Sequence, residues 1–108
     1  MNEISKDIIQ DLCTDKTIKI TQHLFERLRS RNIKYMDVKK CIMHGEIIEY
    51  YPNDYPYPSC LILGYIKDGD PLHVVVGVGE GYLWIVTAYR PDNRHWRSDL
   101  KTRKENEQ

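Results

Sequence analysis

Cysteine is scarce in this chain and does not pair. Cys13, Cys41 and Cys60 are an odd number with no C-x-x-C spacing, which excludes a disulfide framework or a zinc ribbon as the organising device. They read as reduced, packed thiols, because a reactive cysteine needs a neighbouring cation or helix N-terminus and the sequence places neither. Net charge is also missing. The 16 Lys and Arg balance 16 Asp and Glu, so a globally basic nucleic-acid binder is not indicated. No apolar run approaches the roughly 18 to 20 residues that cross a bilayer, and no membrane role is expected. The first residues, with Glu3 and Asp7, lack the basic start and apolar block of a secretion signal, so a cytoplasmic protein is expected. Metal-ligand spacings such as H-x3-H or H-E-x-x-H are absent, and Gly77-x-Gly79-x-Gly81 lacks the following helix and lysine of a phosphate loop. Neither a metal nor a cofactor is expected.

What is present fits one soluble domain: 108 residues, 41% hydrophobic and 30% charged. Residues 1–108 read as a single unit, with an N-terminal helical addition over 2–17, a core over 18–97 and a charged tail over 98–108. The charge is unevenly spread. Residues 19–40 hold seven cations (Lys19, Arg27, Arg29, Arg31, Lys34, Lys39, Lys40) against Glu26 and Asp37, whereas residues 41–89 hold only Lys67. Such a run is a solvated helix face or a patch that touches phosphate.

The spacing of Ile4, Ile8, Ile9 and Leu12 predicts a short amphipathic helix that Thr14-Asp15-Lys16-Thr17 ends. Thr21 offers an N-cap to a second helix that buries Leu24, Phe25 and Leu28 and turns His23, Arg27 and Ser30 outward. After Asn32, Val38, Cys41 and Ile42 mark a third helix, with Gly45 as a left-handed C-terminal cap. Strands follow over 46–51, 60–67, 71–78 and 82–89, and Pro52, Pro56 and Pro58 force a tyrosine-rich loop between the first two. The expected architecture is α+β: N-terminal helices packed on one face of a four-stranded antiparallel meander. A two-residue Asp68-Gly69 turn of the I′ kind would pair Lys67 with Asp70 and set His73 opposite Gly64, leaving room for a pocket. A three-residue loop with Val78 opposite Tyr82 would set His73 beside Thr87 and Tyr89 on its face. A one-residue slip would undo both pairings.

The pattern Thr21-x-His23-x3-Arg27, Arg31-x-Ile33, Val38, Gly45-Glu46-Ile47-Ile48, Tyr51-Pro52, Pro58-Ser59, Leu72-His73-Val74, Thr87-Ala88-Tyr89-Arg90-Pro91 and Trp96 resembles the bacterial domain-of-unknown-function family 4258. Members of that family look like distant relatives of RelE-like and barnase-like ribonuclease toxins. The resemblance covers about residues 18–97. Lys34 departs from it, standing where the family usually has a small capping residue. The resemblance implies a helix-plus-sheet ribonuclease fold, an RNA substrate and a small antitoxin as partner, in the manner of a toxin–antitoxin pair.

Metal-independent RNA cleavage needs a base for the ribose 2′-OH, an acid for the leaving 5′-oxygen and cations for the charge on phosphorus. His73 is the first candidate for base or acid, His23 its partner, and Tyr89 a proton donor or positioning group. Arg27, Arg31 and Arg90 are the candidate phosphate clamps. Each has a plainer reading: His73 as a hydrogen-bonded core residue, His23 as an exposed helix residue, Tyr89 and Arg90 as a seal over a core Trp96, Arg27 as half of a surface ion pair. His44 reads as a helix C-terminal charge and His95 as a tail residue. Tyr50, Tyr51, Tyr55 and Tyr57 either stack bases or cover the core. The rival function is a non-catalytic binding module for protein or nucleic acid, and a third is an antitoxin-like or immunity role centred on the N-terminal helix. Convergence of His73, His23 and an arginine on one cleft marks the enzyme; scattered polar residues and exposed tyrosines mark the module.

Overall fold

The computed structural model describes residues 4–104, so the first residues of the expected N-terminal addition and the last of the tail lie outside it. Helix α1 (Lys6–Leu12) is capped by Ser5, and α2 (Gln22–Ser30) by Thr21, whose hydroxyl accepts the Leu24 N–H at 3.0 Å. Asn32, at φ 59°, takes the left-handed position after α2 and lets the Ile33 N–H reach Leu28 O at 2.8 Å. Helix α3 (Tyr35–His44) follows. Strands β2 (Glu46–Tyr51), β3 (Ser59–Ile66), β4 (Asp70–Gly79) and β5 (Tyr82–Tyr89) form the expected meander.

Several expectations are corrected. The sheet has five strands in the order β1-β5-β4-β3-β2, because β1 (Ile18–Lys19) pairs in parallel with Leu83 and Trp84 of β5. A two-residue strand is too short to show periodicity. Gly45 ends α3 where expected, yet its backbone is extended (φ −79°, ψ −178°). A side chain is excluded there for space, since a Cβ would stand 2.6 Å from Ile62 Cγ2 and 2.7 Å from Leu63 O. The first hairpin loop is Lys67–Gly69, with Ile66 opposite Asp70, so His73 faces Leu63 rather than Gly64. Gly64 points to the helices, where a Cβ would meet Cys41 Sγ at 2.7 Å, so it leaves no space in front of His73. The second loop is only Glu80-Gly81, both at positive φ, which pairs Gly79 with Tyr82.

All three helices cover one sheet face. Ile9, Leu24, Leu28, Val38, Cys41 and Ile42 pack with Cys60, Ile62, Leu72, Val74, Val76, Leu83, Ile85 and Ala88 in one apolar cluster. Phe25 does not join it and stays 44% exposed. Among the described residues no helix is long and apolar enough to cross a membrane.

Candidate active site on the outer face of the sheet

The face away from the helices is built from three cross-strand rows: Leu63, His73 and Tyr89; Glu49, Leu61, Val75 and Thr87; Tyr51, Ser59, Gly77 and Trp84. Two bulges decide who stands in them. Skipping Ile48 brings Glu49 opposite Leu61, and skipping Val86 brings Thr87 opposite Val75 and Tyr89 opposite His73. Without the second bulge Ala88 would face His73. Side chains alternate across a sheet, so one ejected residue exchanges the two faces from that point on.

Residues 91–104, of which 98 onward were expected as a charged tail, strap this face. Trp96 is 3% exposed and meets the His73 ring edge-to-face at 4.6 Å. Leu100 O lies 2.9 Å from His73 Nε2, and Tyr89 Oη 3.3 Å from Nδ1. A carbonyl can only accept, so Nε2 carries the proton and the Tyr89 hydroxyl donates to Nδ1. Burial lowers the His73 pKa against the pull of Leu100 O and Glu49, which holds the ring neutral near pH 7. Arg103 lies over Trp96 and donates twice to Glu49, at 2.9 and 3.0 Å. The Tyr51 hydroxyl donates to the same carboxylate. Burial alone would raise the Glu49 carboxyl, but these hydrogen bonds and the Arg103 charge outweigh it and leave it below the ordinary range. The Tyr51 phenol is pushed up to about 12, by burial first and then by its bond to Glu49. Lys101 adds a 3.0 Å pair with Glu46.

Between the end of β5 and the strap lies an open pocket of about 270 Å³, bordered by Tyr89, Asp92, His95, Trp96 and Arg103. Asp92 accepts from His95 Nδ1 at 2.9 Å and from the backbone N–H groups of Arg94 and His95, and the His95 bond leads in lowering its carboxyl. His95 Nε2 has no partner among the described residues. An oriented imidazole with one free nitrogen, a phenol and a guanidinium therefore share one small cavity.

The other expected site residues fall elsewhere. His23 and Arg27 are exposed on α2, with Arg27 Nε donating to His23 Nε2 at 3.1 Å; the buried side of α2 rests on the helix face, so the sheet separates them from His73. Arg31 donates to Ala88 O at 2.8 Å, along the stretch of β5 that β1 does not reach. Arg90 returns the clasp, donating to Arg31 O, Asn32 O and Asp70. Both are engaged in joining α2 to β5. Cys13, Cys41 and Cys60 are buried and unpaired; burial pushes the Cys41 and Cys60 thiols up to about 12, so neither is a thiolate nucleophile. Glu49, Asp92, His95 and Arg103 were not singled out from sequence. The one legible signal was D-x-x-H at Asp92 and His95, a spacing that lets a turn carboxylate hold a histidine.

The described residues form a small α+β domain of three helices and a five-stranded sheet, with its polar cluster under the strap that follows β5. The chain belongs to the family described as Domain of unknown function (DUF4258), which matches residues 20–90. That match ends at Arg90 and leaves the strap wall of the pocket outside it. No curated protein and no solved structure matches the chain significantly.

Proposed function

We propose that this protein is a metal-independent endoribonuclease of the toxin–antitoxin type, a distant relative of RelE-like and barnase-like ribonucleases acting in the cytoplasm. The observation that carries the reading is the pocket joining Tyr89, the Asp92–His95 pair and Arg103. In this scheme His95 Nε2 takes the proton of a ribose 2′-OH while Asp92 steadies the ring. The 2′-oxygen attacks phosphorus, the P–O5′ bond breaks, and a 2′,3′-cyclic phosphate forms. Tyr89 donates its proton to the leaving 5′-oxygen and regains one from solvent. Arg103, held in place by Glu49, faces the charge that builds on the phosphoryl oxygens. His73 accepts the Tyr89 hydrogen bond in the resting state and acts as a positioning residue.

The test is cleavage of a labelled, mixed-sequence RNA in EDTA, with and without ribosomes. His95→Ala should lower the rate by about a hundredfold or more, Arg103→Ala and Tyr89→Phe should also lower it, and Arg27→Ala should leave it unchanged. Folded wild-type protein that cleaves nothing, or cleavage indifferent to His95, rejects the proposal.

A second reading has its own support, because His73 and His23 stand on opposite sides of the sheet and do not converge on one cleft. Tyr55 is 91% exposed, and Tyr57 stacks on Trp84 at 5.5 Å beside a cleft of about 500 Å³. Exposed rings around a cleft suit a non-catalytic binding module, and RNA retention without cleavage, reduced by Tyr55→Ala, supports that alternative.

A further inference from the structure

On the helix side, a groove of about 380 Å³ opens between the end of α2 and the start of α3. Leu28 and Ile33, 2% and 4% exposed, are its floor, and Phe25, the only phenylalanine of the chain, is a half-open wall. Arg29 and Lys34 stand at its border. Elsewhere in the fold four cations are paired with carboxylates: Arg90 with Asp70, Arg103 with Glu49, Lys101 with Glu46 and Lys39 with Asp15. Among the described residues Arg29 and Lys34 have none. Of the nearby acids, Glu26 is turned to Gln22 and Asp37 sits in the first turn of α3.

We propose that this groove docks an acidic amphipathic segment of a protein partner, its apolar side chains against Phe25, Leu28 and Ile33 and its carboxylates on Arg29 and Lys34. An apolar centre inside a charged rim is the anatomy of a protein interface. The complementary charge is acidic, because residues 19–40 carry a local excess of cations and the two that border the groove, Arg29 and Lys34, have no carboxylate among the described residues. A nucleic-acid track would put its cations along the middle; here the middle is Leu28 and Ile33, while Arg29 and Lys34 stand at the border beside the rings of Phe25 and Tyr35. Exposure of Phe25 at the i+4 position from Thr21 has a purpose on this reading, since the helix could otherwise have carried a polar residue there without loss to the core cluster. The groove lies across the sheet from the Tyr89–Arg103 pocket, so the inference is independent of the ribonuclease reading.

The test uses the full chain and a fluorescent synthetic peptide of about fourteen residues, leucines at i, i+3, i+4 and i+7 and glutamates elsewhere, a helix-in-groove ligand of the required chemistry. The probes beside it are the same peptide with lysines for glutamates, a leucine-free glutamate peptide, and poly-U RNA. Saturable binding of the glutamate–leucine peptide is expected, tighter than to either peptide control and weakened by added salt. Phe25→Ala and the pair Arg29→Glu, Lys34→Glu should each weaken it by about tenfold or more, with circular dichroism confirming that these surface variants stay folded. Amide protection on binding should rise at the α2–α3 junction. The proposal is overturned by an absence of binding, by equal binding of the lysine peptide, by indifference to Phe25→Ala, or by poly-U binding more tightly at Arg29 and Lys34.

Discussion

The two faces of the sheet are made from the same strands and do different work. On the helix face, every buried side chain from β3 to β5 is apolar and belongs to one cluster shared with α1, α2 and α3. On the outer face stand the two buried polar residues among those described, Ser59 and His73. Each is satisfied by an irregular segment laid over it: Ser59 donates to Asp54 of the tyrosine loop at 2.6 Å, and His73 to Leu100 O of the strap. Apolar burial is non-directional and needs only the right volume. Polar burial needs a particular partner atom. The helix face is therefore set by the strand pattern, whereas the outer face depends on where the chain returns.

The largest effect should come from breaking the helix face. Leu72 is fully buried in the shared cluster, and Leu72→Ala should cost about 2–5 kcal/mol, the range for a large-to-small change in a packed core. Urea unfolding measures it, and the loss should be global, with every amide of β3 to β5 losing protection together. Trp96→Ala should cost less, under about 2 kcal/mol, although Trp96 is larger and nearly as buried. The strap can lift as a unit, and its local release caps the penalty. Hydrogen exchange should then show residues 92–104 opening while the sheet stays closed. Equal global losses for the two variants would mean that the faces are not energetically distinct.

This contrast also explains what was readable in advance. The Thr21 cap and the strands of the meander follow from local rules and period-two alternation, and the structure bears them out; His73 and Tyr89 share a face as expected, but only because the shorter turn and the bulge at Val86 offset one another. The bulges did not show, because Ile48 and Val86 are β-branched residues like their neighbours and nothing local tells which of them the chain will skip. The turn lengths were misjudged by one residue each: the first error alone moves His73 from Gly64 to Leu63, and the second, together with the bulge at Val86, moves it from Thr87 to Tyr89. The strap was hidden for another reason: Lys101 and Arg103 read as part of a solvated tail, and their partners Glu46 and Glu49 lie more than fifty residues away in the chain. Long-range pairing of charges leaves no periodic trace, so the half of the pocket that β5 supplies and the buried Trp96 were visible, and the polar groups beyond Arg90 were not.

A smaller effect should appear in the pH dependence, and it belongs to the outer face alone. The folded-state pKa of His73 is lowered, first by burial, so the unfolded chain takes up a proton at higher pH than the folded one. Stability from this group is full above the unfolded value near 6.5 and is lost as pH falls below it, down to the lowered folded value. Chemical denaturation at pH 7.5, 6.5 and 5.5 should show this decline, and His73→Gln should flatten it whatever its effect at neutral pH. An unchanged slope in the variant would place the acid sensitivity elsewhere.

The smallest effect should be the coupling between Glu49 and Arg103. The pair is bidentate, but the Arg103 side chain is 58% exposed, and solvent screens what geometry would otherwise strengthen. A cycle of Glu49→Gln, Arg103→Met and the double variant should give a coupling of about 0.2–1 kcal/mol. It should persist through neutral pH and vanish only in acid, because the depressed Glu49 carboxyl keeps its charge until the pH falls through its folded value. On the proposed ribonuclease reading, the two partners should nevertheless differ in RNA cleavage. Arg103→Met removes the cation at the pocket, while Glu49→Gln keeps it and loosens only its hold, so the first should reduce the rate far more than the second. Parallel losses of stability and rate would make the pair a strut; a rate loss far beyond so weak a coupling would show that the outer face holds its charges for chemistry rather than for folding.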